Sequence, residues 1–220
     1  MRKIVVIRGA GAGVGRAVGT ELARNGCDAA LLSRDPSSLE RAAVKLEQLG
    51  VRALPIPIDV ADAKAVDAAA ERVEREFGPI DVWVNVAMVT AFASVHKLTP
   101  EEFQRGTAVT YLGQVHGTMA ALRYMRPRNR RSFVSVDLPA INTPQFDWAR
   151  NKMGKKARPV PPIFQPEVAA RAIYFGAFHP RRQICVGFPT VKAIIANRMA
   201  PVAVKDEQLV RCVTIPATAR

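Results

Sequence analysis

The run Lys3-Ile4-Val5-Val6-Ile7-Arg8-Gly9-Ala10-Gly11-Ala12-Gly13-Val14-Gly15 passes from a short apolar strand into a glycine-rich turn and then into a helical pattern. That is the layout of a dinucleotide-binding turn. Gly9 permits the tight turn, Gly13 lets backbone N–H groups approach a pyrophosphate, and Gly15 allows the helix to pack closely on the strand. A glycine-rich turn that holds no ligand can carry the same letters, so the pattern alone is weak. Its setting strengthens it, because Val14, Val18 and Leu22 recur at helical spacing and Gly26 stands where a left-handed residue closes a helix.

Outward from this turn the first half alternates strand and helix, the rhythm of a parallel sheet covered by helices on both faces. Asp28–Ser33 reads as the second strand, and Asp35-Pro36 offers an N-cap and first-turn proline to a helix ending at Gly50. Residues 52–58 form a third strand, which Pro55 and Pro57 assign to the sheet edge, where a missing ladder donor is tolerated. A helix over 62–77 stops at Gly78-Pro79, and a fourth strand covers 81–84. Thr99-Pro100-Glu101-Glu102 is a capping box opening a long helix that Pro127 ends. A fifth strand over 132–136 follows, after which residues 137–158 contain no helix of comparable length. The chain resumes with a helix over 166–178, a strand over 183–186 and a short apolar helix over 191–199. Residues 1–201 are expected to form a single domain, and 202–220, with little periodicity, a loose tail.

The 220 residues and 49% hydrophobic content describe an ordinary globular domain. Arg8 and the glycines break the first apolar run after four residues, which reads as a strand and not a leader. No stretch reaches the ~18 apolar residues of a membrane span, so no membrane is expected. Cys27, Cys185 and Cys212 are few, odd in number and far apart, which fits reduced thiols in a cytoplasmic setting. His96, His116 and His179 lack ligand spacing, and no metal is expected. The net charge of +13 raises nucleic acid as a partner, but the basic clusters at 123–131 and 150–158 lack interleaved stacking aromatics. A solvated basic surface accounts for them.

Gly9-x-x-x-Gly13-x-Gly15 has the spacing of the short-chain dehydrogenase/reductase family, and over about residues 3–200 the chain resembles that family. Val14 lies between the last two glycines of this pattern. Asp59-Val60 resembles the family's adenine-contacting pair, and Asn85-Val86-Ala87-Met88 a degraded form of its Asn-Asn-Ala-Gly turn. Pro139-Ala140-Ile141-Asn142-Thr143 resembles the loop whose threonine contacts the nicotinamide carboxamide. The resemblance implies a Rossmann-like doubly wound α/β fold, a nicotinamide dinucleotide partner, and a small carbonyl or alcohol as substrate. Where an acidic residue would bind the ribose 2′-hydroxyl of NAD, this chain has Ser33 followed by Arg34, with Arg8 and Arg16 adding charge nearby. A guanidinium pairs with phosphate, so NADP (NADPH) is favoured over NAD, an ordinary solvated Arg34 being the alternative.

The family's chemistry uses a tyrosine, a lysine four residues later and a substrate-orienting serine. Tyr111, Tyr124 and Tyr174 are followed four residues on by Val115, Arg128 and Phe178. Asp137 and Leu138 stand where the serine is expected, Ser135 lies inside the strand, and Thr110 falls at the place of the family's helical asparagine. Phe133-Val134-Ser135-Val136 resembles the start of the family's fifth strand and Leu138-Pro139-Ala140 the end of its sixth, as if one helix–strand unit carrying the catalytic residues were excised. The catalytic set is therefore unknown. Three readings follow: an oxidoreductase of doubtful competence, a non-catalytic nucleotide-binding or interaction protein, and, last, a nucleic-acid binder. The excision also leaves a family-type homo-oligomer doubtful, and an exposed apolar face is expected around Leu112, Met119 and Leu122. Phe146 and Trp148 are assigned to packing or to a substrate pocket.

Overall fold

The computed structural model describes residues 2–129, 134–154, 157–159, 161–179 and 181–199. The expected tail lies outside them. Four parallel strands form the main sheet in the order β3 (Ala53–Pro57), β2 (Asp28–Ser33), β1 (Ile4–Arg8), β4 (Val82–Asn85). Val5 lies opposite Ala29 on one side and Val82 on the other. β1 is buried along its whole length, as near-continuous apolar strands between two helical layers must be.

The two-residue period of a strand divides its side chains between two cores. Val5, Ile7 and Leu31 meet Val18 and Leu22 of α1 (Gly13–Arg24), Leu39 and Leu46 of α2 (Pro36–Glu47) and Ile173. Val6, Leu32 and Ile56 meet Val66 and Val73 of α3 (Ala63–Glu76) and Ala120 on the opposite face. Helix starts fall where the sequence places them, because side chains accept from otherwise orphaned N–H groups. Asp35 accepts from Ser37 and Ser38, Asp62 from Lys64 and Ala65, and Thr99 with Glu102 closes the capping box.

That box opens α4 (Pro100–Gly106), which runs through a π-helical turn, Thr107–Leu112, into α5 (Gly113–Met125). Before it, β5 (Ala91–Phe92) later pairs with β7 (Arg150–Asn151). Of the fifth strand expected over 132–136, residues 132 and 133 lie outside the described residues, and β6 (Ser135–Asp137) takes up its end; after it come α6 (Gln145–Trp148), α7 (Pro166–Phe178), β8 (Gln183–Cys185) and α8 (Phe188–Met199). Instead of extending the sheet from β4, β6 pairs in parallel with β8, Val136 opposite Ile184. The physical reason is α7. A Cβ on its Gly176 would stand 2.9 Å from Ile184 Cδ1 and 3.1 Å from Val134 Cγ1, so the helix sits down on this pair and holds its strands together. Leu112, Val115 and Met119 form an exposed apolar stripe on the long helix, while Leu122 is half-buried.

One ion pair ties the start of the sheet. Asp28 is buried and accepts from the Arg52 backbone N–H and Nε, both at 2.8 Å, and from Arg2 at 3.5 Å. Burial pushes its carboxyl up, but the Arg52 amide and guanidinium outweigh burial and hold it below the usual carboxylate range. A depressed carboxylate stabilises the fold above its unfolded pKa of ~3.9, and that contribution is lost as pH falls through its lower folded value. Asp28→Ala is therefore expected to cost about 1–3 kcal/mol at pH 7, with a fall in Tm of about 2–4 °C per kcal/mol. In calorimetry the gap from the parent protein should close on acidification; a gap constant down to strongly acidic pH would contradict the assignment.

Candidate functional site

A cleft of about 1800 Å³ opens at the carboxyl ends of the strands and lies over the glycine turn. Gly9 has φ +92°, and a Cβ there would come within 2.8 Å of the Ala87 backbone. Gly15 is more constrained, for its Cβ would meet the Gly9 carbonyl oxygen at 2.1 Å. These contacts bring the start of α1 against the ends of β1 and β4. Unlike α2, α3 and α4, α1 has no capping side chain: its N-cap is Ala12, which makes no side-chain bond. Its first N–H groups are left for a ligand.

The end of β2 forms one end of the cleft. Gly11 packs against Ser33 and Ser38, and Arg16 spans the turn by donating to the carbonyls of Gly11 and Ser38. Arg34 is exposed beside them, and Arg41 of α2 lines the same wall. Sequence reasoning missed Arg41, which lies in the second turn of α2. Across the cleft Asp59 accepts from Arg105 at 2.7 Å and from the Ala61 N–H at 3.0 Å. Burial raises the Asp59 carboxyl, yet the hydrogen bonds from Arg105 and Ala61 and the charges of Arg105 and Arg34 bring it below its ordinary value. Arg105 had no local signal. Val60 is buried next to Asp59.

Arg8 corrects the sequence reading. It is fully buried and turns away from the β2 end, donating to Asn85 Oδ1 at 3.3 Å, Ala87 O at 3.3 Å and Val109 O at 3.4 Å. No carboxylate is among these partners, and burial lowers its pKa to about 10. It therefore braces β1, the loop after β4 and the π-turn, and adds no charge at the β2 end. The Asn85 amide is spent on the same brace, accepting from Trp83 Nε1 at 3.0 Å and donating to Thr118 at 3.4 Å.

At the other end of the cleft Thr143 is brought up to the glycine turn, its Cγ2 3.2 Å from where a Gly13 Cβ would stand. The sequence-assigned positions Gly9, Gly13, Val14, Gly15, Ser33 and Arg34 all line this cleft, as do Asp59, Val60, Asn85, Ala87 and Thr143. Thr110 and Asp137 line it too, with their polar groups engaged. The Thr110 hydroxyl accepts from the Val89 N–H at 3.0 Å and donates to Val89 O at 3.2 Å. Asp137 accepts from Gln183 and lies 3.9 Å from Cys185 Sγ. Among the described residues no tyrosine lines the cleft, and Tyr111 is 64% exposed. Phe146 stacks on Phe92 with centroids 5.8 Å apart, which makes it a packing residue, whereas Trp148 is at the cleft.

Comparison with known proteins matches residues 3–142 to the family model described as short chain dehydrogenase. The chain belongs to the short-chain dehydrogenase family. It is 36% identical over 155 residues to 2,3-dihydro-2,3-dihydroxybenzoate dehydrogenase of Bacillus subtilis, covering 70% of this chain and 59% of that relative. The chain thus spans about three-fifths of the length of that curated relative. Solved structures share the fold. An alcohol dehydrogenase from Thermococcus sibiricus, complexed with 5-hydroxy-NADP, superposes with TM-score 0.71 at 22% identity, over 84% of this chain and 96% of that one. L-sorbose reductase of Gluconobacter frateurii, complexed with NADPH and L-sorbose, gives 0.72 at 20% identity, over 84% and 95%. Among the described residues no group of His, Cys, Asp and Glu could hold a metal ion, and no helix is long and apolar enough to cross a membrane.

Proposed function

We propose that this short-chain dehydrogenase binds NADP(H) in the cleft, with NADPH preferred to NADH, and that it derives from enzymes transferring hydride to or from small carbonyl and alcohol compounds. The observation that carries the reading is the β2 end, where Ser33 replaces an acidic residue and Arg34 and Arg41 line one wall. A 2′-phosphate would find charge-assisted hydrogen bonds there, and the nearest carboxylate along the chain, Asp35, accepts from the Ser37 and Ser38 N–H groups as the cap of α2. The dinucleotide also fits the turn: the uncapped N–H groups of α1 suit its diphosphate, and the glycines leave open the space that side chains would fill. Asp59 and Val60 would hold the adenine, and Ala87 and Thr143 the nicotinamide end.

When bound, the nicotinamide supplies a hydride donor or acceptor. The described residues at the cleft would orient it and exclude water, and among them none is a matched proton donor. Thr110 has both hydroxyl functions committed to Val89, and Asp137 is held by Gln183. This favours a second reading, a protein that retains the cofactor and has lost the acid–base step with an excised helix–strand unit. Cys27 and Cys185 are free thiols, in keeping with a reducing, cytoplasmic setting.

Titration with both cofactors tests the assignment. NADPH is expected to bind at least about tenfold more tightly than NADH, a difference of ~1.4 kcal/mol, and Arg34→Ala should close most of that gap. Equal affinities in the unaltered protein would sink the preference.

A further inference from the structure

The lining of the cleft changes character along its length. Its arginines stand at the β2 end, as Arg16, Arg34 and Arg41, or are paired across from it, as Arg105 is with Asp59, while Lys3 pairs with Asp81 at the amino ends of the strands. The loop after β4 and the stretch that carries Thr143 contribute Met88, Val89, Leu138, Pro144 and Trp148 instead. Among the described lining residues of these two stretches, Asp137 carries the one charge. Two contacts hold the stretches together: Gln145 Nε2 donates to Thr90 Oγ1 at 2.7 Å, and Phe146 stacks on Phe92. Met88 is 53% exposed and Trp148 70%. Large apolar side chains left in water at a cleft mark surface that a ligand covers.

We propose that this end of the cleft takes a ring-bearing carbonyl or alcohol compound with no anionic group, its ring laid against the Trp148 indole. The inference rests on the cofactor reading above, which puts the nicotinamide beside Thr143. An indole offers a broad apolar face on two side-chain torsions, so a ring stacks on it with little loss of entropy. A carboxylate on the substrate would give up its water beside the Asp137 carboxylate, with no cation among the described lining residues there to replace it. Arg8 cannot serve, because it is fully buried and directs Nη1 and Nη2 to Asn85, Ala87 and Val109. The Thr110 hydroxyl is committed to Val89 in the same way.

Benzyl alcohol and 4-(hydroxymethyl)benzoate differ by one carboxylate, and as alcohols neither is reduced by NADPH. In calorimetric titration of the full chain saturated with NADPH, benzyl alcohol is expected to bind at least about tenfold more tightly than the acid. Trp148→Ala should weaken benzyl alcohol about tenfold at an unchanged Tm, Trp148→Phe should restore most of the affinity, and Asp137→Asn should narrow the gap between the two probes. Absence of saturable benzyl alcohol binding, affinity for the acid equal to or above that for the alcohol, or full affinity in Trp148→Ala would each overturn the proposal. The probes are also titrated without NADPH. A benzyl alcohol site that depends on Trp148 in a protein that binds no NADPH would overturn the cofactor reading and uphold the ring site.

Discussion

Supplied with NADPH and a simple ketone or aldehyde, the purified protein is expected to turn over about 10²- to 10⁴-fold more slowly than members of its family that carry the tyrosine–lysine pair, the range of a missing acid–base term. Tyr111 has Val115 four residues on and stands exposed outside the cleft, so it cannot reach a substrate there without rearrangement. Positioning a substrate beside the cofactor still lowers the entropic part of the barrier, which leaves a residual rate. Stopped-flow or absorbance assays of NADPH oxidation measure it. Turnover at family-like rates, abolished by Tyr111→Phe, would show that Tyr111 serves as the acid and would overturn the expectation.

The second large effect belongs to one glycine. Gly15→Ala would place a methyl group 2.1 Å from the Gly9 carbonyl oxygen and 2.7 Å from its carbon. Both atoms are backbone in the turn, so no rotamer change relieves the clash. The expected cost is about 3 kcal/mol or more, the upper end for overpacking, with a fall in Tm of about 6–12 °C and loss of saturable NADPH binding. Gly106 supplies the contrast, because nothing lies within 4 Å of its Cβ position and it sits at the end of helix α4. Gly106→Ala should be neutral or stabilise by about 0.5–1 kcal/mol. An unchanged Tm for Gly15→Ala would show that the turn can move away from α1.

The amino-terminal half was legible because its signals are local. Asp35 and Thr99 cap the helices they were expected to cap, and Pro55 and Pro57 do lie in the outermost strand of the sheet. The helix Pro166–Phe178 has the bounds its pattern gave. What escaped depends on distant partners. The pairing of β6 with β8 is decided by how α7 sits on both, which no spacing near residue 135 encodes. The π-turn at Thr107–Leu112 leaves ordinary helical letters in the sequence. Arg8, next to the glycines, reads in the sequence as positive charge near the end of β2, and only its burial beneath the loop after β4 shows otherwise.

The same arginine constrains the order in which the molecule can be put together. Its three hydrogen-bond partners lie 77, 79 and 101 residues further along the chain. Until those residues arrive, the end of β1 either keeps its cation in water or buries it without acceptors, which costs several kcal/mol. The β1–α1–β2–α2–β3 segment therefore cannot close as an autonomous early unit, however complete its local signals are. Completion of the nucleotide-binding half waits for the π-turn, and a ribosome must have released residues beyond 109 before the glycine turn acquires its final support.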